Sequence, residues 1–209
     1  KMGAVEGALL EPLAIAIHSV DLAHLRPGQT VAVLGAGPIG LLIAAVAKAA
    51  GASQVYMTEP LAYRRDFARQ YAAAAVLNPQ DADPTVEIMR LTGGRGVDVA
   101  FEAAGAQETP QQAASVTRIG GKVIVTGIPA QEDVMTMSAS TVRHKGLTIK
   151  LVRRMKHTYP RAIRLVETGM VNVASLATHF FPLERINKAF ELVANYEAGV
   201  LRAIVQVSE

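Results

Sequence analysis

The stretch Thr30–Gly51, TVAVLGAGPIGLLIAAVAKAAG, decides how the rest of the chain is read. Thr30–Leu34 is a Val-rich apolar run that suits a buried strand. Ile39–Ala50 has the pattern of a helix, closed by Gly51. Between them stands Gly35-Ala36-Gly37-Pro38-Ile39-Gly40, with the spacing G-x-G-x-x-G. In a strand–turn–helix context the first Gly allows a tight turn. The second lets backbone approach a diphosphate, and the third lets helix pack closely on strand. The free N–H groups and partial positive charge of the helix start favour an anion there. Pro38 removes only an N–H that has no partner inside the helix. Gly35, Gly37, Pro38, Ile39 and Gly40 are therefore candidate cofactor-binding residues. A plain turn between strand and helix is the alternative.

The 21 residues Pro27–Ala47 carry no charge and are long enough to span a bilayer. The Gly-Ala-Gly-Pro sequence in their middle excludes a single spanning helix, because it would expose backbone groups to lipid. On the C-terminal side the alternation continues. Strands are predicted at Gln54–Thr58, Ala75–Leu77, Val97–Phe101, Lys122–Thr126 and Leu147–Leu151. Helices are predicted near Arg64–Ala73, Pro84–Thr92 and Gln107–Val116. Strands that are apolar throughout and alternate with helices specify a parallel sheet covered on both faces. The expected fold class is α/β, a doubly wound, six-stranded parallel sheet of Rossmann type. Ahead of it, Ala4–Val20 reads as a helix already under way, which suggests a piece of a longer protein. After residue 151 the rhythm changes: helices at Tyr159–Thr168 and Leu183–Tyr196, an extended joint at Phe181-Pro182-Leu183, and a strand at Ala203–Val207. The expected organisation is a leading helix and linker (1–27), a dinucleotide-binding domain (28–151) and a tail (152–209) that belongs to a second unit.

Glu59 ends the second predicted strand, 19 residues after Gly40. A carboxylate there can accept hydrogen bonds from both ribose hydroxyls of NAD and would repel a 2′-phosphate. Arg64 and Arg65 leave NADP open, since an Arg fork can hold that phosphate. Ligands of such sheets lie outside the carboxyl ends of the strands. The strand ends Glu102-Ala103-Ala104-Gly105 and Thr126-Gly127-Ile128 therefore offer Ala104, Gly105, Thr126, Gly127 and Ile128 as further cofactor contacts, with ordinary loop glycines as the alternative.

Composition narrows the function classes. Half of the 209 residues are hydrophobic and 19% are charged, so a core is within reach and a disordered polar chain is excluded. The net charge of +3 is too small to argue for nucleic acid. It arises entirely from residues 151–209, which hold 8 basic and 5 acidic side chains. Arg153, Arg154, Lys156, Arg161 and Arg164 read either as a solvated face or as a site for an anionic or hydroxyl-rich ligand. The chain has no cysteine, which excludes disulfides and Cys-based zinc motifs within it. His18, His24, His144, His157 and His179 show no ligand spacing. No secretory signal pattern is visible, and a cytoplasmic location is expected.

Several segments together resemble one family. Glu6-Gly7-Ala8-Leu9-Leu10-Glu11-Pro12-Leu13 with Ile17-His18, then Val33–Gly40, Phe101–Gly105 and Val125–Gly127, resemble the cofactor domain of medium-chain zinc dehydrogenases. Arg154, Thr158-Tyr159-Pro160 and Thr178-His179-Phe180-Phe181-Pro182-Leu183 extend the similarity to the polyol branch, that of the sorbitol and xylitol dehydrogenases, with threonine dehydrogenase nearby. The resemblance implies NAD-dependent oxidation of an alcohol or polyol to a carbonyl, with a catalytic zinc stabilising the alkoxide. It places Glu11 beside that zinc, as metal ligand or partner of zinc-bound water. It places Arg154 near the polyol and Arg153 on the cofactor side. It assigns the tail to a GroES-like catalytic domain that lies outside this sequence and supplies the other zinc ligands. No complete zinc site is thus expected in this chain, which alone should be inactive. A homodimer or homotetramer is implied, with no nucleic-acid or membrane partner. Two other readings are a zinc-free quinone or enone reductase of the same superfamily and a non-enzymatic NAD-binding module.

Overall fold

The computed structural model describes residues 2–71, 73–129, 132 and 134–207. The apolar runs become strands as the pattern requires. β1 (Thr30–Leu34), β2 (Gln54–Thr58), β3 (Ala75–Leu77), β4 (Val97–Glu102), β5 (Thr117–Val125) and β6 (Thr148–Leu151) form one sheet in the order β3-β2-β1-β4-β5-β6. Every pairing in it is parallel. The order runs outward in both directions from β1 and β4, so the connections on either side wind onto opposite faces.

Side-chain alternation explains why these strands are apolar throughout. Val31 and Val33 of β1, Val55 and Met57 of β2, and Phe101 of β4 face one layer. Ala32, Leu34, Tyr56 and Ala100 face the other. Successive side chains of a strand point to opposite faces, and here both faces are covered. The first layer is built from α1 (Ala4–Ala23) and α2 (Pro38–Ala49), through Leu13, Ile17, Leu41 and Leu42. The second holds α4 (Pro84–Leu91) and α5 (Thr109–Val116), through Ile88, Ala113 and Val116. Each large apolar side chain fully buried in this way contributes about 1.5–3 kcal/mol over its exposed state. α3 (Ala62–Gln70) follows β2.

Polar groups close the helix ends. The last carbonyls of α1 are met by lysines from two strands: Lys122 Nζ donates to Ala23 O at 2.5 Å and Lys150 Nζ to Leu22 O at 3.0 Å. Lys145 Nζ donates to three carbonyls at the C-terminal end of α5, those of Ala114, Ser115 and Thr117. Asp98, at the start of β4, accepts from Thr30 N–H at 2.9 Å, Arg95 at 2.7 Å and Arg118 at 2.6 Å. Burial opposes its ionisation, yet the bonds from Arg95, Thr30 and Arg118 outweigh this and hold its carboxyl well below the usual carboxylate range.

The tail divides in two. α7 (Tyr159–Glu167) lies along α1, and Ala162, Val171, Val173, Leu176 and Leu201 join the same core as α1 and α2. β7 (Ala177–Pro182) and β8 (Arg202–Gln206) form a separate two-stranded parallel sheet, beside which lies α8 (Ile186–Ala194). The joint expected at Phe181–Leu183 is thus the end of a strand followed by a short 3₁₀ turn, Leu183–Arg185. β5 begins at Thr117, five residues earlier than its apolar run, because it carries Gly120 and Gly121 before Lys122. The apolar pattern of the sequence also gives no sign of α6 (Ala139–Lys145), none of whose residues is buried.

Candidate functional site

Because all six strands run the same way, their carboxyl ends share one edge of the sheet. β1 sits where the strand order turns, and the loops after β1 and β4 leave the sheet on opposite sides. A cleft of about 560 Å³ opens there. Gly35, Gly37, Glu59, Arg64, Ala104 and Tyr196 are among its lining residues. A groove of about 510 Å³ between α1, α2 and α7 is nearly wholly apolar and holds the C-terminal end of α2, away from the strand ends. The cleft, by contrast, gathers backbone N–H groups, a carboxylate and a guanidinium.

The glycine loop is shaped by close approach. Gly35 has φ +101°, and a Cβ there would lie 3.0 Å from Ala103 O and Ala104 N. A Cβ on Gly40 would overlap the carbonyl oxygen of Gly35. The turn therefore closes directly under the start of α2, where Gly37 is the N-cap residue and Pro38 opens the first turn. The first-turn N–H groups are left for a ligand anion.

Glu59 is 4% exposed and holds this loop in place. Its Oε2 accepts from Ala36 N–H at 2.9 Å and its Oε1 from Leu61 N–H at 3.0 Å. Each carboxylate oxygen retains further acceptor capacity for ribose hydroxyls. Arg65 Nη1 donates to the carbonyls of Glu59 and Pro60, at 3.1 and 2.5 Å. Arg64 instead lies against two aromatic rings, 4.9 Å from the Tyr196 centroid and 5.8 Å from that of Tyr63.

The second anchor is Glu102, 1% exposed at the end of β4. Its Oε1 accepts from Ala104 N–H, Gly105 N–H and Thr109 Oγ1–H at 2.8–2.9 Å. Its backbone carbonyl accepts from Thr126 N–H and Gly127 N–H, at 2.8 and 3.0 Å. A Cβ on Gly127 would overlap Glu102 Oε2, and one on Gly105 would overlap Ile128 O. One buried residue thus ties both strand-end loops together, the first through its carboxylate and the second through its backbone carbonyl. Ile128 itself is 83% exposed.

The remaining sequence candidates lie elsewhere. Arg153 and Arg154 follow β6 and are exposed, with Arg154 at φ +55°. They share the carboxyl edge of the sheet but do not line the cleft. Glu11 is exposed on α1 and borders a separate cavity of about 300 Å³ with Pro12 and Arg202–Val205 of β8. Among the described residues no three His, Cys, Asp or Glu side chains converge. The histidines are dispersed. His179 Nδ1 lies 3.0 Å from Thr178 Oγ1, and His24 Nε2 lies 3.3 Å from Lys150 Nζ. Burial, helped by Lys156 and Arg161, lowers the pKa of His18 against the opposing pull of Asp21. Two site residues escaped the sequence reading. Thr109 carries no motif, but its hydroxyl reaches Glu102. Tyr196 reaches the cleft from the tail, and no local pattern signals that.

Strand order, glycine loop and terminal carboxylate define a dinucleotide-binding domain of Rossmann type. Residues 38–168, more than half of the chain, match the family model of zinc-binding dehydrogenases, and the chain belongs to that family. It is 33% identical over 200 residues to sorbitol dehydrogenase of Bacillus subtilis, covering 96% of this chain and 56% of that protein. It is 39% identical over 193 residues to D-xylulose reductase A of Aspergillus niger, covering 90% of this chain and 53% of that protein. These relatives agree with the polyol branch. A zinc-binding dehydrogenase structure from Sinorhizobium meliloti, bound to NADP, superposes with a TM-score of 0.87 at 29% identity, over 97% of this chain and 59% of that one. The chain thus spans a little over half the length of these relatives. No helix among the described residues is long and apolar enough to cross a membrane.

Proposed function

We propose that this chain is the NAD-binding part of a zinc-type dehydrogenase that oxidises a secondary alcohol or polyol to a ketone. The observation that carries the reading is the cleft at the turn of the strand order, where the glycine loop and Glu59 stand side by side. In this reading the N–H groups that open α2 hold the diphosphate, and the bare Cα of Gly37 allows its approach. Glu59 accepts from the ribose hydroxyls. Its negative charge disfavours a 2′-phosphate, and Arg65 is already committed to backbone carbonyls. Both points support NAD over NADP. The loops 103–105 and 126–128, fixed by Glu102, border the reacting ring. A bound nicotinamide supplies the hydride acceptor. Holding it at a fixed distance from the alcohol carbon is the contribution of this chain to rate.

Glu11 and Arg154 are proposed on the substrate side, Glu11 next to a zinc whose other ligands come from outside this chain and Arg154 as a fork for hydroxyl oxygens. The boundaries at residues 27 and 151 are proposed as those of the cofactor domain, with the β7–β8 unit facing the catalytic domain. The outer edge of β6 is unpaired within the six-stranded sheet, which supports pairing of two copies through this domain. A cytoplasmic enzyme without nucleic-acid or membrane partners completes the proposal.

The test is turnover by the intact protein. With NAD, xylitol or sorbitol should give NADH, and a chelator should abolish it. NADH formation undiminished by metal removal would refute a zinc-dependent reaction. No reaction with any polyol or secondary alcohol would refute the substrate class.

A further inference from the structure

Tyr196 stands on the turn that follows α8, far from the glycine loop in sequence. Its backbone is left-handed, with φ +55°, and Ala198 follows at φ +49°. Two non-glycine residues in this conformation mark a turn held by its surroundings rather than by local preference. What holds it is α3. Tyr63 Oη donates to Val200 O at 3.2 Å, and the Tyr63 ring lies under Gly199. The guanidinium of Arg64 then packs on the Tyr196 ring at 4.9 Å. The result is a layered stack of two aromatic rings and a planar cation, of which Arg64 and Tyr196 line the cleft. Two features of the stack are unspent. Tyr196 remains 55% exposed although it lines the cleft. Arg64 Nε is buried and has no hydrogen-bond partner among the described residues. The exposed face of Tyr196, backed by the Arg64 guanidinium, suits a flat heterocycle that can stack on it.

We propose that Tyr196 is a nucleotide-binding residue, and that with Arg64 it forms the stacking wall for the adenine ring of the dinucleotide. The assignment rests on the dinucleotide reading of the cleft. It makes affinity for the adenosine half depend on the seating of the tail.

The experiment is a titration of the intact protein with three probes: NADH, ADP and reduced nicotinamide mononucleotide, which has no adenine. Wild type should bind NADH and ADP. Y196L, which keeps bulk but loses the ring, should weaken both about tenfold, the scale of one lost stacking contact. It should leave mononucleotide binding unchanged, and Y196F should match wild type. ADP binding by Y196L equal to wild type would overturn the assignment while leaving the dinucleotide site intact. Loss of mononucleotide binding in parallel would overturn it too, by showing a general structural effect. Failure of wild type to bind either NADH or ADP would instead remove the dinucleotide reading itself. Y196W gives an independent readout, since this sequence has no tryptophan. ADP, but not the mononucleotide, should quench the emission that this variant adds, and unquenched emission at saturating ADP would contradict the stacking.

Discussion

Gly7 and Gly40 both lie inside helices, and replacing each with alanine should have opposite effects. The intrinsic gain is the same, about 1 kcal/mol per residue in a helix interior. At Gly7 of α1 an added Cβ meets nothing within 4 Å, so the gain should appear nearly in full. At Gly40 of α2 the Cβ would overlap the carbonyl oxygen of Gly35 and sit 3.0 Å from that carbonyl carbon. The obstacle is backbone and cannot yield without opening the turn. Overpacking of this kind costs about 1–3 kcal/mol, and an immovable partner favours the upper end. After the helical gain, Gly40→Ala should lose about 1–2 kcal/mol, so the two variants should differ by about 2–3 kcal/mol. At roughly 2–4 °C per kcal/mol for a chain of this size, that separates their Tm values by about 4–12 °C. Thermal unfolding followed by far-UV circular dichroism reads the separation. Opening the turn also withdraws N–H groups from the diphosphate, so Gly40→Ala should weaken NADH binding about tenfold, while Gly7→Ala leaves it unchanged. Equal Tm shifts in the two variants, or full NADH affinity in Gly40→Ala, would refute the account of the glycine loop.

Two further changes test other groups. Asp98→Asn should cost about 2 kcal/mol in urea unfolding at pH 7, the scale of a hydrogen-bonded buried charge, and no loss would show that Arg95 and Arg118 find equal partners elsewhere. Because the folded state depresses the Asp98 pKa, its contribution should be complete above about pH 4, the unfolded carboxylate value, and fall as the pH drops below it. Asp98→Asn should flatten that acid limb, and an unchanged limb would assign acid lability to other carboxylates. Glu59→Ala should raise NADPH affinity relative to NADH by removing the charge that repels a 2′-phosphate, and an unchanged ratio would reject Glu59 as the selective group.

The centre of the sheet was legible because β1, β2 and β4 are buried on both faces and so read as largely apolar runs. The glycine loop was legible because close backbone approach permits no Cβ at Gly35 or Gly40. Elements without an apolar signature were not legible. α6 buries no residue, and its helix is marked only by the Ser138 N-cap and Gly146 at the far end. The pairing of β7 with β8 joins segments separated by α8, and its register follows from tertiary packing rather than from either sequence. The same holds for the site. Glu59 sits where the motif puts it, but its bond to Ala36 N–H and the approach of Tyr196 to Arg64 are products of the folded chain.

The most direct test of the central claim is a calorimetric titration of the intact protein with NADH and, separately, with NADPH. The account predicts saturable 1:1 NADH binding and distinctly weaker NADPH binding. A folded protein that binds neither, or that prefers NADPH, would contradict it.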